Sequence, residues 1–133
     1  MAQQNANDQG TDIDFYALDF LDPTQWTKLG PTDLLISNPP YIPQQEAEKL
    51  APHVREQEPH LALFVPNEDP LLFYKALARF STQHLSPLGA LYVEIHEDLG
   101  QNVVNLMKGY FETAILRQDL NGRDRMVKCF GLK

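Results

Sequence analysis

Short apolar runs along the chain predict a small set of strands. Residues 34–37 and 90–95 are mostly apolar, the pattern of strands that are buried on both faces of a sheet. Residues 13–18 alternate between apolar and polar positions and predict a further strand. Near the end of the chain, residues 111–117 and 125–132 predict two more strands. The turn residues Asn121-Gly122 between them indicate a β-hairpin.

Helical segments are predicted between these strands. Residues 2–9 are typical of the polar end of a helix that stops at Gly10, and residues 99–108 predict a helix that ends at Gly109. A longer helix is predicted to open at Asp69-Pro70, with the proline at its first position. The apolar residues that follow with helical spacing are Leu72, Phe73, Ala76, Leu77 and Phe80. The order of these elements predicts an α/β fold that ends in a hairpin.

Two intervening segments are predicted to lie outside the core. Residues 86–89 carry the Pro and Gly of a turn. Residues 43–66 are rich in Pro and Glu and too polar for a core element, so we interpret them as a lid-like segment with some helical turns around residues 45–50.

Composition narrows the class of protein. The 133 residues are enough for one domain with a single hydrophobic core. The 11 Lys and Arg against 18 Asp and Glu give a net charge of −7, which disfavours direct binding to a nucleic-acid backbone. The single cysteine, Cys129, lies in an apolar alternation and is expected to be a packed thiol in a reducing compartment. No apolar run has membrane-spanning length and the start is not a signal peptide, so the expected location is the cytoplasm.

The most informative motif is Ser37-Asn38-Pro39-Pro40-Tyr41, directly after an apolar run. An amide nitrogen is a poor nucleophile because its lone pair is delocalised, so two fixed acceptors must grip both N–H bonds to orient it. The Asn38 side-chain oxygen and the Pro39 carbonyl could supply them. The prolines fix two φ angles, and the Tyr41 ring offers a face for stacking. A loop breaker would explain the prolines alone, but not the flanking Asn and Tyr at a strand's carboxyl end.

This loop and the segments around it resemble the HemK-type protein-(glutamine-N5) methyltransferases, which modify the glutamine of the Gly-Gly-Gln motif in peptide chain release factors. The resemblance runs along the whole chain. The matching residues are Ala2, Asn5-Ala6, Asp19, Asp33 to Ile42, Glu58-Pro59, Ala62-Leu63, Leu88-Gly89-Ala90-Leu91, Glu94, Gln101, Asp119, Gly122 and Arg125. It implies a Rossmann-like S-adenosylmethionine-dependent methyltransferase fold, of which residues 1–133 form the carboxyl-terminal portion of the catalytic domain.

The resemblance also implies site residues. Asn38 and Pro39 would hold the substrate amide, Tyr41 would stack on it, and Pro40 and Glu58 would complete the substrate side. The cofactor S-adenosylmethionine would contact Asp19 and Asn38, and the substrate would be a release factor. From residue type alone, Asp19 is better explained as a turn cap. Glu58 fits a solvated carboxylate equally well. No general base is assigned, because the attacking nitrogen becomes strongly acidic once it is alkylated.

Three other groups have structural interpretations. Glu94 and His96 would share one strand face, but they lack further partners at a metal-ligand spacing, so no metal is expected. Glu94 instead would line the substrate cleft or bond the loop. Arg125 is expected to form a structural ion pair near Asp119 and Asp124.

The chain also departs from the family pattern. His96 stands where the family usually has Gly, and Pro66 and Pro70 replace glycines. No Gly-x-Gly sequence occurs, so the chain resembles a fragment that lacks the first strands and the cofactor loop. We therefore expect a strand at 34–36 with an open, apolar edge, a strand at 13–18 without a partner, and self-association through that edge.

Two other functions remain open. An exocyclic amino methyltransferase acting on adenine-N6 or cytosine-N4 could use the same loop, and it would need a basic groove. A folded fragment without a cofactor would have no activity. Residues encoded upstream of Met1 would distinguish the last alternative.

Overall fold

The computed structural model describes residues 1–43, 45–46, 59–66 and 68–133. The helices are α1 (Ala2–Asp8), α2 (His60–Leu63), α3 (Leu72–His84) and α4 (Gly100–Met107), with 3-10 turns at Pro23–Lys28 and Glu97–Leu99. The strands are β1 (Thr32–Ser37), β2 (Ile42–Pro43), β3 (Phe64–Val65), β4 (Leu85–Glu94), β5 (Phe111–Gln118) and β6 (Asp124–Leu132). None of the helices in these ranges is long and apolar enough to span a bilayer.

The main sheet confirms the α/β fold and its terminal hairpin. Its strand order is β1-β4-β6-β5. β1 and β4 are parallel, whereas β6 is antiparallel to both β4 and β5. The β5–β6 turn contains Gly122 with a φ of 77°, a backbone conformation that glycine adopts without strain. The predicted strands at 34–37, 90–95, 111–117 and 125–132 all lie in this sheet.

Residues 86–89 do not form the separate turn that was predicted. They lie within β4 as an irregularity, because Thr32 pairs with Leu85 while Leu34 pairs with Ala90. The Ser86 hydroxyl donates to the Asp33 carboxylate at 2.7 Å. This hydrogen bond holds residues 86–89, the additional residues of β4, against β1. A Cβ at Gly89 would lie 2.9 Å from the Asp33 carbonyl oxygen, so glycine lets the two strands meet again.

One face of the sheet carries the hydrophobic core. Helices α3 and α4 pack on this face, and the buried residues that join them to the sheet include Tyr74, Leu77, Leu91, Val93, Val103, Met107, Val127 and Cys129. Burial raises the pKa of the Cys129 thiol to about 12. The thiol is therefore protonated near neutral pH and packed, as the alternation predicted.

The opposite face of the sheet is partly apolar and exposed. Leu34 is 51% exposed and Ile36 is 71% exposed, and Met126 and Phe130 lie on the same face. The Lys128 ammonium lies over the Tyr92 and Phe130 rings, at 5.4 and 5.3 Å from their centroids. Within the described ranges β1 pairs only with β4, so the predicted open, apolar edge is confirmed.

Two predicted elements differ from the structure. Residues 13–18 form no strand, and Ile13, Phe15 and Tyr16 are exposed. A strand needs a neighbour, and this segment pairs with no strand of the described sheet. The long helix begins at Leu72 rather than at Pro70. The Asp69 carbonyl and carboxylate accept from the amides of Leu72 and Leu71, which makes a turn before the helix.

The segment 43–66 lies in part outside the described residues, including most of the predicted turns at 45–50. Its end was wrongly predicted to be too polar for a core element, because Phe64 and Val65 are 7% and 0% exposed. These residues form β3, which pairs in parallel with β2. The pairing brings the two ends of the segment side by side, directly after Tyr41.

Candidate active site

An aromatic cluster holds the turn that precedes the sheet. The Trp26 ring is buried, and its Nε1 donates to the Phe20 carbonyl at 2.9 Å. The Phe20, Trp26 and Phe80 ring centroids lie 5.2 to 5.5 Å apart, which fastens the turn to α3. Asp22 caps the 3-10 turn, and its hydrogen bonds from Thr24 lower its pKa. The sequence interpretation missed this element, although a capping Asp before Pro23 signals a helix start.

Asp19 lies just before this turn and has two features. Its Oδ1 accepts from the Leu21 amide at 2.9 Å, so the turn-cap interpretation is confirmed. Its carboxylate also lines a cavity of about 660 Å³ together with Asn38 and Pro40. The structure thus brings together the two residues predicted for cofactor contact. The capping hydrogen bond uses one carboxylate oxygen of Asp19, and the residue still lines the cavity.

Asn38 lies where three cavities meet. It lines the cavity shared with Asp19, a slot of about 70 Å³ shared with Pro39 and Tyr41, and a cavity of about 180 Å³ shared with Glu94. Its side chain makes no hydrogen bond with any described residue and is exposed. The following Pro39 is buried, so the loop is anchored while the Asn38 amide remains available to a ligand.

Tyr41 is fixed by a hydrogen bond to the neighbouring strand. Its hydroxyl donates to Glu94 Oε1 at 2.8 Å, which confirms that Glu94 bonds the loop. Burial, the hydrogen bond and the Glu94 charge all raise the pKa of the Tyr41 hydroxyl. The ring meets the His96 ring edge-on, with centroids 6.0 Å apart.

A second tyrosine, on helix α3, forms a hydrogen bond with the end of β4. The Tyr74 hydroxyl on α3 donates to the Glu94 carbonyl at 3.1 Å, and burial raises the pKa of this hydroxyl. Tyr74 is fully buried. The sequence interpretation missed it because Tyr74 stands beside the apolar residues that were used to identify the helix.

Arg125 approaches the site from the terminal hairpin. Its Nε and Nη2 donate to Asp119 at 3.4 Å, which confirms the structural ion pair. Asp119 also accepts from the amides of Asn121 and Arg123, and these hydrogen bonds lower its pKa. Arg125 lines the 180 Å³ cavity together with Glu94 and Asn38. The start of β6 and the loop therefore line the same cavity.

His96 caps the 3-10 turn at Glu97–Leu99, because its Nδ1 accepts from the Asp98 amide at 3.2 Å. Its Nε2 lies 3.5 Å from the Glu46 carboxylate. In the part of the chain that the structure describes, no group of three His, Cys, Asp or Glu could hold a metal ion. Glu58 lies outside the described residues, so its predicted role is not tested.

The fold and the loop together define a partial Rossmann-like methyltransferase fold. An Asn-Pro-Pro-Tyr loop follows a parallel strand, and an antiparallel hairpin closes the sheet. Comparison with curated proteins identifies the relatives, although no family model matches the chain.

The relatives share one name. A release factor glutamine methyltransferase of Flavobacterium psychrophilum is 40% identical over 128 residues, which are 96% of this chain and 44% of that protein. The protein of the same name from Bacillus cereus is 37% identical over 131 residues, or 96% and 45% of the two chains. The one from Cereibacter sphaeroides is 47% identical over 99 residues, or 73% and 35%.

The chain belongs to the family of release factor glutamine methyltransferases. It spans less than half the length of the curated relatives that it matches.

The Tyr74 hydroxyl provides a test of the strand-end packing. Tyr74→Phe removes a buried donor from the Glu94 carbonyl and should lower the free energy of unfolding by about 1–2 kcal/mol. Urea unfolding followed by circular dichroism should show a lower midpoint with an unchanged slope. Tyr16→Phe is the control, because Tyr16 is 54% exposed. Equal midpoints for Tyr74→Phe and the parent would contradict the packing described here.

Proposed function

We propose that the protein is the catalytic part of an enzyme that methylates the side-chain nitrogen of a glutamine in the Gly-Gly-Gln motif of peptide chain release factors. The methyl donor is S-adenosylmethionine. The observation that carries this proposal is the position of Asn38, whose free amide stands between the cavity that contains Asp19 and the slot that contains Tyr41. The family relationship supports the choice of substrate.

The loop supports the chemistry because it supplies hydrogen-bond acceptors for the substrate amide. The proposed reaction needs no general base. The Asn38 side-chain oxygen and the Pro39 carbonyl accept hydrogen bonds from the two N–H groups of the substrate amide. These hydrogen bonds orient the amide nitrogen. The Tyr41 ring stacks on the amide plane, and its hydroxyl is already held by Glu94. Pro40 and Glu58 complete the substrate side in this proposal. The proton leaves the nitrogen once its alkylation has made it acidic.

The large cavity fits the adenosine end of the cofactor. Its walls combine the Asp19 carboxylate with apolar and aromatic side chains, namely Leu18, Phe20, Leu21, Pro40, Ala62 and Phe73. A carboxylate acceptor beside apolar walls suits a purine that carries an amino group. When it is bound, the cofactor supplies an electrophilic methyl group. Asn38, which also lines the cavity, directs the substrate nitrogen toward that methyl group.

We further propose that residues 43–66 serve as a lid over this site. The pairing of β2 with β3 supports the proposal, because it holds both ends of the segment next to Tyr41. Closure of such a segment would exclude water from the methyl transfer. Residues 1–133 would then form the carboxyl-terminal portion of the methyltransferase catalytic domain.

A second candidate function is methylation of an exocyclic amino group of adenine or cytosine. The same two acceptors would orient that nitrogen. The net charge of −7 disfavours it, because a nucleic-acid backbone would be repelled. The names of the relatives also favour glutamine. A folded domain without activity remains the non-enzymatic alternative, and methyl transfer by any complete protein that contains this chain would exclude it.

The role of Asn38 can be tested in a hybrid protein, in which this chain replaces the matching segment of the Flavobacterium psychrophilum relative. Asn38→Ala should lower kcat by about two to three orders of magnitude, because one positioned hydrogen bond in a closed site contributes a few kcal/mol. Cofactor affinity should change little. Methyl transfer to a release factor is measured with a radiolabelled donor.

The control for this test is Asn102→Ala, which removes an exposed amide on α4. That variant should retain the kcat of the parent. Near-parental turnover by Asn38→Ala would rule out the assigned role.

Substrate class provides a separate prediction. The hybrid protein should label a release factor, and it should not label a release factor whose motif is changed from Gly-Gly-Gln to Gly-Gly-Ala. Single- and double-stranded DNA should remain unlabelled, because the chain is acidic. Labelling of DNA at an equal or higher rate would favour the second candidate function.

We also propose that this chain alone associates through the edge of β1, where Leu34 and Ile36 are exposed. Ile36→Lys places a charge on the strand and should shift sedimentation toward the monomer. Leu120→Lys is the matched control, because Leu120 is also exposed but lies in the hairpin turn. A parent chain that sediments as a monomer at all concentrations would contradict the proposal.

A further inference from the structure

Three strand ends meet beside the Asn-Pro-Pro-Tyr loop. Ser37 pairs with Val93, so Asn38 and Glu94 are each the next residue along two parallel strands. Glu94 in turn pairs with Met126, which directly follows Arg125. The Ile95 amide donates to the Arg125 carbonyl at 2.9 Å and fixes β6 against the end of β4.

The side chains at these ends form a cluster of polar groups that the proposed reaction does not itself require. The Tyr41 hydroxyl donates to the Glu94 carboxylate at 2.8 Å. Arg125 lines the same 180 Å³ cavity as Glu94, and its guanidinium is held by Asp119 at 3.4 Å. Asp119 is itself fixed by amides of its own turn. The cation held by the hairpin turn and the carboxylate that holds the loop tyrosine therefore line one cavity.

We infer that Glu94 and Arg125 are positioning residues that hold the Tyr41 ring, and through it the catalytic loop, in the geometry needed for the substrate amide. The inference deepens the proposed function and rests on it. Glu94 holds the hydroxyl directly. Arg125, held by the hairpin turn, places a fixed positive charge beside Glu94 and Tyr41.

Glu94 and Arg125 shift the pKa of the Tyr41 hydroxyl in opposite directions. Burial and the Glu94 contacts raise the pKa of the Tyr41 hydroxyl, whereas the Arg125 guanidinium lowers it. Among the described residues, the other titratable groups that face Tyr41 are Tyr74 on α3 and His96 after β4, and neither is substituted in the test below. Loss of Glu94 should therefore lower the pKa of Tyr41, and loss of Arg125 should raise it further.

The test uses the 133-residue chain labelled with 3-fluorotyrosine and followed by fluorine NMR during a pH titration. The fluorine lowers the pKa of every tyrosine, which brings the titration toward the pH range of the folded protein. Tyr41→Phe identifies the Tyr41 signal. We expect a lower Tyr41 pKa in Glu94→Gln and a higher one in Arg125→Gln than in the parent.

Matched controls separate local from general effects. Glu112→Gln and Arg79→Gln make the same charge changes at exposed positions, at the other end of the sheet and on α3, and should leave the pKa of Tyr41 unchanged. Unfolding would return every variant to the ordinary tyrosine value, so it cannot produce a rise in Arg125→Gln. Unchanged values, or shifts of the same sign in both variants, would overturn the inference.

A second measurement connects the network to turnover. In the hybrid protein, Glu94→Gln should lower kcat about 10- to 100-fold with little change in the KM for the cofactor, because a displaced loop misorients the amide. Parental kcat in Glu94→Gln would overturn the positioning role. The fluorine titration needs no cofactor or substrate, so it can fail or succeed independently of the proposed methyl transfer.

Discussion

The parallel pairing of β1 with β4 is the constraint on which the candidate site depends. Parallel strands end at the same side of a sheet, so the loop after β1 and the last residue of β4 must lie together. The register places Asn38 beside Glu94, and β6 then adds Arg125. The buried core face holds this register, because a slip by one residue would expose Leu91 and Val93.

The loop combines rigidity with an unused polar group. Pro39 is buried and Tyr41 is bonded to Glu94, whereas the Asn38 amide has no partner among the described residues. Because Asn38 is exposed beside three cavities and makes no hydrogen bond with the described residues, its amide is free to bond a ligand. Asp19 has two positions of interest at once, because it caps its turn and also lines the largest of those cavities.

Local sequence signals predicted much of the fold and identified the loop of the candidate site. The apolar run before Asn38 and the Asn121-Gly122 turn each determine structure over a few residues, and both predictions were confirmed. Features that depend on distant partners could not be predicted in this way. Residues 13–18 have a strand pattern but no neighbouring strand, and the β4 irregularity depends on contacts with Asp33. The Tyr74 bond to the end of β4 likewise joins residues that only the fold brings together.

The central claim is that Asn38 and Pro39 grip the amide of a glutamine substrate. A crystal structure of the hybrid protein with a Gly-Gly-Gln peptide and the demethylated cofactor tests it most directly. The account predicts that the glutamine side-chain nitrogen lies within about 2.7–3.2 Å of both the Asn38 Oδ1 and the Pro39 carbonyl oxygen. A glutamine bound elsewhere, with Asn38 facing solvent, would contradict it.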